Sequence, residues 1–432
     1  MHARMIQRVG LRLQVLVLLA LRARPALSSS TTFCNPVDLG YRMHGKCRAA
    51  ADFTMVAWNK TYWLFTTDTQ GGYWRAESLA GPWSLINYEG LPDSPVAPHA
   101  FVVNSTMYYT CIGCAFYSTP DPASGKWTNA GGAGHYPDPM VLVDDNRWYM
   151  FSGCSPASPG DMKMVQLDPH NDFKPVGAPH GGVLADPPHR GFEVPGDLNN
   201  LTQNKPYIEG SWVTKRNGTY YWTYAAPGTQ YKTYADGVFT SSSPTGPWTY
   251  ENGFSPASHK PTGFLGGVGH SSTFQDFAGQ SWHISTASID VRDSVCGTFE
   301  RRAAMHPVRW GASGEMAVET YLGDYPQYAN GSEDGPGWML LSYNKQVNAS
   351  STLDGYPTSL AVDEDIRTWW SAASGNAGEW FSVDLGDMCS VWAIQTNFAD
   401  QDASHKGILA KSYLLRSTVL KMAYAQILKD LI

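Results

Sequence analysis

Five stretches of the chain repeat one pattern of apolar and polar positions. They are DFTMVAWNKTYWLFTT from Asp52, PHAFVVNSTMYYTCIG from Pro98, DPMVLVDDNRWYMFSG from Asp138, EGSWVTKRNGTYYWTY from Glu209 and HSSTFQDFAGQSWHIS from His270. Each opens with a polar residue, runs through a short apolar strand and turns at Asn, Asp or Gly. Each then enters a second strand carrying two or three aromatics. The turn pairs Asn59-Lys60, Asp145-Asn146, Asn217-Gly218 and Ala278-Gly279 are hairpin formers, because these residue types tolerate positive φ. A second echo, SLAGPW ending at Trp83, SGKW at Trp127 and SPTGPW ending at Trp248, predicts outer-strand turns of the same unit. Five such units predict a five-bladed β-propeller. The innermost strands of a propeller begin near one axis, so the openers Asp52, His99, Asp138, Glu209 and His270 are expected to meet in one pocket. Trp58, Trp63, Trp148 and Trp222 fall on strands and are expected to pack the blades.

Composition agrees with an all-β chain. Of 432 residues, 13% are aromatic, with 42 Gly and 28 Pro for turns, and charged residues make up only 16%. A net charge of -7 with no Lys/Arg-rich run argues against nucleic acid or an anionic membrane as partner.

Three carboxylates and two imidazoles in one pocket suit glycoside hydrolysis. One carboxyl, protonated, serves the leaving oxygen while another activates water or attacks the anomeric carbon. A third nearby carboxylate raises the acid's pKa by like-charge repulsion. Trp and Tyr suit sugar faces, and Trp74 and Trp212 are candidate platforms. The plainer reading is that the acids only cap strand starts or hold a cation.

The motifs resemble glycoside hydrolase family 43, over roughly Cys34 to Pro326. AADFTMVAWNKTYWLF resembles the family's first-blade segment, whose Asp is the general base. YPDPMVLVDDNRWYMF resembles the segment whose Asp tunes and orients the acid. YIEGSWVTKRNGTYYWTY resembles the segment that carries the general acid, and GVGHSSTFQDFAGQSW the last-blade segment with an axial His. The resemblance implies Asp52 as base, Asp138 as pKa modulator and Glu209 as acid, in a single-displacement, inverting reaction. It implies His270 holding the sugar or a central cation, with a calcium ion near it as an option rather than a requirement; His99 is a further candidate substrate contact. Phe53, Ser211 and His99 depart from the family pattern, which bears on subsites rather than fold. The implied substrates are arabinose-, xylose- or galactose-containing glycans. Rival readings are a related propeller family with another sugar, and a carbohydrate-binding propeller without catalysis.

Outside the repeats, residues 1–28 read as a secretory signal peptide: Arg4, Arg8 and Arg12 precede the apolar run Leu13 to Leu21, and small residues follow. A secreted protein is expected. Asn59, Asn104, Asn200, Asn217, Asn330 and Asn348 head Asn-x-Ser/Thr triplets. Of seven cysteines, Cys34 with Cys47 is a plausible pair, and CIGC at Cys111 and Cys114 lacks the second half of a zinc site. Asp144 and Asp145 read as turn residues. Asp186, Glu193 and Asp197 read as a solvated loop, with a pocket-rim role as the alternative. The domain reading is a propeller over 34–328 and a linker over 329–346. Residues 347–400 resemble part of a discoidin β-sandwich, carried by Thr368-Trp369-Trp370 and Val383-Asp384-Leu385-Gly386. Residues 401–432 follow as an unmatched amphipathic tail. Half a sandwich cannot close its core.

Overall fold

The computed structural model describes residues 32–40, 50–67, 71–132, 134–154, 162–194, 206–251, 255–260, 265–289, 301–320, 323–329, 341–363, 368–376 and 378–389. The expected signal peptide, most of the linker, and the amphipathic tail lie outside these residues. Among the described residues no helix is long and apolar enough to cross a membrane.

Five antiparallel sheets follow one another along the chain, each a blade built in strand order. Their innermost strands are Ala51–Trp58, His99–Val103, Met140–Asp144, Glu209–Arg216 and Leu265–Gln275. Those of neighbouring blades adjoin in a closed ring, the fifth returning to the first. This is a five-bladed propeller. The inner hairpins turn at Asn59-Lys60, Asn104-Ser105, Asp145-Asn146 and Asn217-Gly218, all at positive φ. That geometry matches the twist of tightly joined strands and accounts for the Asn, Asp and Gly there. Trp83, Trp127 and Trp248 stand just before outermost strands, as their echo predicted.

Apolar clusters fill every gap between blades. Phe65, Tyr109 and Trp127 join blades one and two, Val141 and Phe116 join two and three, and Phe151 and Trp222 join three and four. Tyr221 and Val308 join four and five, and Phe53, Leu64, Trp282 and Ile284 join five and one. Trp222 is fully buried, and Trp63 and Trp148 nearly so.

Each blade is entered through a left-handed residue: Asp52 (φ 53°), Ala97 (φ 45°), Asp138 (φ 44°), Gly210 (φ 69°) and His270 (φ 46°). Two residues further on stand Thr54, His99, Met140, Trp212 and Ser272, which open the regular ladder. His99 is therefore out of step with Asp52, Asp138 and His270; Ala97 holds the equivalent place. From the second position, side chains reach the next blade. Thr54 Oγ1 donates to Pro98 O (2.8 Å), His99 Nε2 to Val141 O (3.2 Å) and Trp212 Nε1 to Thr273 O (3.0 Å). Ser272 Oγ accepts from Met55 N (3.1 Å), closing blade five on blade one. Blade three carries Met140 there, and its link is made instead by Asp138 Oδ2, which accepts from Gly210 N at 2.9 Å.

The N-terminal segment latches the ring without exchanging a strand between blades. Thr32–Phe33 pairs with Gln327–Tyr328, and Val37 N donates to Ala303 O on the third strand of blade five. The buried Asn35 spends its whole carboxamide on this junction. Nδ2 donates to Met305 O and Gly323 O, and Oδ1 accepts from Met305 N. Cys34 carries a free thiol, so the expected pairing with Cys47 is not made; Cys111 and Cys114 are joined in a disulfide.

Residues 334–432 belong to a separate unit. Its described part is a two-stranded ribbon, Gln346–Ala349 against Phe381–Asp384, with Trp370 beside Phe381 (5.0 Å). Val362 is its one buried side chain among the described residues. The partial discoidin segment expected over 347–400 is represented among the described residues by this ribbon alone, and residues 390–400 lie outside them.

Asn35→Ala should lower unfolding stability by roughly 3 kcal/mol, since three buried partners lose their hydrogen bonds. Chemical denaturation followed by tryptophan fluorescence checks this.

Candidate active site

Asp52, Asp138 and His270 occupy left-handed blade entries, a conformation that costs energy for any residue with a Cβ. In each case the strained entry turns the side chain toward its neighbours on the axis. His270 Nδ1 lies 3.2 Å from Asp52 Oδ1 and 4.0 Å from Asp138 Oδ2. Asp138, Glu209 and His270 offer atoms that all fall within 4.8 Å of one another. In blade four the left-handed place is taken by Gly210, one residue after Glu209. A Cβ there would sit 2.9 Å from His270 Cγ, so only glycine lets the imidazole close on the carboxylates. Four of the expected site residues, Asp52, Asp138, Glu209 and His270, are thus brought together.

Their surroundings differ. Asp52 Oδ2 accepts from Thr67 Oγ1 (2.6 Å), whose oxygen in turn accepts from Ala97 N (2.7 Å); Asp52 N is held by Thr286 Oγ1. Burial pushes Asp138 up to about 7; the His270 charge opposes this, while Glu209 and Asp52 add to it. Burial alone would lower His270, but Asp52, Asp138, Glu209 and Asp236 outweigh it and push the imidazole up to about 9. A cation therefore already stands among the carboxylates at neutral pH.

This bears on the calcium option. Calcium takes six to eight oxygen ligands, and a metal-binding imidazole must be unprotonated. The described site offers three carboxylates, Asp52, Asp138 and Glu209, and an imidazole held protonated. Asp138 and Glu209 each already accept a hydrogen bond, from Gly210 N and the Tyr234 hydroxyl. The set fits an imidazolium better than a calcium ion, and no step is assigned to a metal.

The other candidates stand elsewhere. His99 is buried, its ring against Phe101 and Trp212, and burial pulls it down to about 3. It is a neutral structural imidazole committed to Val141 O, not a group that holds the sugar. Trp74 is 3% exposed, packed between blades one and five with Nε1 donating to Leu39 O, so it cannot be a sugar platform. Trp212 spends its N–H on Thr273 O but is only partly buried. Glu193 is neither rim nor solvated loop. It is fully buried, paired with Arg190 and taking the Tyr224 hydroxyl. Asp197 lies outside the described residues.

The model of Glycosyl hydrolases family 43 matches residues 48–316, which include all four converging residues. The chain belongs to glycosyl hydrolases family 43. It is accordingly a glycosidase. Solved structures of the family share the fold at low identity. A thermostable family-43 glycoside hydrolase is 19% identical with a TM-score of 0.53, over 71% of this chain and 100% of that one. The BlXynB protein of Bacillus licheniformis is 18% identical with a TM-score of 0.52, over 73% of this chain and 63% of that one. GH43B of the Bacteroides ovatus xyloglucan PUL is 18% identical at 0.53, with 73% and 61% covered. This chain thus spans under two thirds of the last two. No curated protein matches it.

Several groups around this glycosidase site escaped the sequence reading. The buried Tyr234 donates its hydroxyl to Glu209 Oε1 (2.5 Å). Cys154 Sγ stands 3.7 Å from Glu209 Oε2 and 3.1 Å from the Tyr207 hydroxyl. Burial foremost, then the charges of Asp138 and Glu209, pushes this thiol up to about 12, so it stays protonated. Asp236 accepts from His270 N and Ser271 Oγ and pairs with the buried His283 at 2.9 Å. The one available signal was Gly267-Val268-Gly269-His270. A Cβ on Gly267 or Gly269 would press on Tyr234, at 3.2 and 2.8 Å.

His270→Gln removes the central cation. A histidine raised on folding adds stability below its ordinary pKa of 6.5, and that contribution is lost as pH rises through about 9. The melting-temperature gap between wild type and variant should therefore be widest below pH 6.5 and narrow toward pH 10. Thermal scans across that range check it.

Proposed function

We propose that this family-43 glycosidase is an exported, inverting enzyme acting on arabinose-, xylose- or galactose-containing glycans. The observation that carries the reading is the convergence of Asp52, Asp138 and Glu209 around one imidazole, with different partners on each carboxyl. Glu209 is the general acid. Tyr234 holds its Oε1, and Oε2, faced by the Cys154 thiol, carries the proton given to the glycosidic oxygen. Asp52, steadied by Thr67 and His270, takes a proton from water as that water attacks the anomeric carbon. The carbon–oxygen bond to the leaving group breaks in the same step, so the configuration inverts. Asp138 is the deepest of the three. Its close carboxyl and Glu209 cannot both ionise cheaply, which favours keeping one proton in the site. His270 offsets the remaining negative charge and faces the sugar.

Family membership supports the substrate class. Export rests on the leader-like residues 1–28 and on the Asn-x-Ser/Thr triplets. Trp212, only partly buried, is the remaining stacking candidate.

Acid catalysis has a diagnostic pattern. Leaving groups that depart without protonation need no acid, whereas poor ones do. On aryl glycosides, Glu209→Gln should cost little with a dinitrophenyl leaving group and roughly 10²–10⁴-fold with a natural sugar leaving group. Asp52→Asn should be slow with both. Equal losses for Glu209→Gln across the series would remove Glu209 from the acid role.

A further inference from the structure

The inner hairpins of blades one, two and four share a feature that catalysis does not use. Their turns read Asn59-Lys60-Thr61, Asn104-Ser105-Thr106 and Asn217-Gly218-Thr219. All three asparagines sit at the same turn position, left-handed at φ 53°, 47° and 49°, and all three are exposed. No carboxamide of the three makes a hydrogen bond among the described residues. The threonines each open the second strand of their blade. The turn alone does not demand this triplet, because blade three makes the same turn with Asp145-Asn146-Arg147.

The position within the blade matters as much as the triplet. The inner strand of blade one, Ala51–Trp58, begins beside Asp52 and ends just before Asn59. Its eight residues, at roughly 3.3 Å each, span about 25 Å, which carries the turn well away from the carboxylates. Blades two and four run the same way. All three acceptors therefore lie on the face opposite the carboxylates, spread around the ring.

We infer that Asn59, Asn104 and Asn217 are N-glycan attachment sites that clothe the face opposite the carboxylates. This rests on the export proposed above. In the transfer, the carboxamide nitrogen bonds to the anomeric carbon of a lipid-linked oligosaccharide diphosphate. The nitrogen loses one proton, and the lipid diphosphate leaves with the bonding electron pair.

The test expresses the full chain in a eukaryotic secretory host, once with its own N-terminus and once behind an established secretory leader. Peptide mass spectrometry follows, with and without enzymatic deglycosylation. The expected result is glycan on all three asparagines, lost when Thr61, Thr106 and Thr219 are changed to Ala. Those changes spare the left-handed asparagines, so the fold and the hydrolytic rate should be unchanged. Protein in the medium with these asparagines bare would overturn the inference. Occupied sites only behind the foreign leader would uphold the acceptors and sink the export reading.

Discussion

The structure depends on how neighbouring blades are fastened at the axis. Each of the five junctions carries a hydrogen bond at or near the start of an inner strand. Four are made by Thr54, His99, Trp212 and Ser272, two residues past the left-handed entry. The fifth is made by Asp138, one of the proposed catalytic carboxylates, to the amide of Gly210. Closure of the ring and assembly of the site are therefore one event. The Asp138 oxygen that holds blade four in place also fixes the backbone beside Glu209.

The same economy governs the electrostatics. Three carboxyls converging out of water would repel one another and unfold the axis. One imidazolium in their midst offsets that charge, and its closeness requires Gly210 to lack a side chain. Around the other side, Gly267 and Gly269 make room for Tyr234, which holds Oε1 of Glu209. These glycines are not loop punctuation. They set the distances at which the charged groups meet.

Much of this was legible in the sequence. The alternation, the Asn and Asp turns and the polar openers gave the five blades and brought Asp52, Asp138, Glu209 and His270 to one place. His99 misled because PHAF reads like the other openers. A repeat alignment by residue type cannot see that Ala97 holds the left-handed φ and that His99 has slipped two places toward the ladder. Trp74 misled because an aromatic on a third strand looks the same whether it faces a sugar or the core. Tyr234 and Asp236 were illegible because both come from the third strand of blade four or the turn before it. Their place beside Glu209 and His270 follows from packing rather than spacing. Glu193 shows the same limit, a loop carboxylate that folding buries against Arg190.

The central claim is that Asp52 and Glu209 act from opposite sides of the anomeric carbon in a single displacement. The direct measurement is proton NMR of the first product formed from a substrate of known anomeric configuration, before mutarotation. The account predicts the inverted anomer. Initial formation of the retained anomer would mean a covalent intermediate on a carboxylate, and would contradict Asp52 as the base and Glu209 as the acid of a one-step reaction.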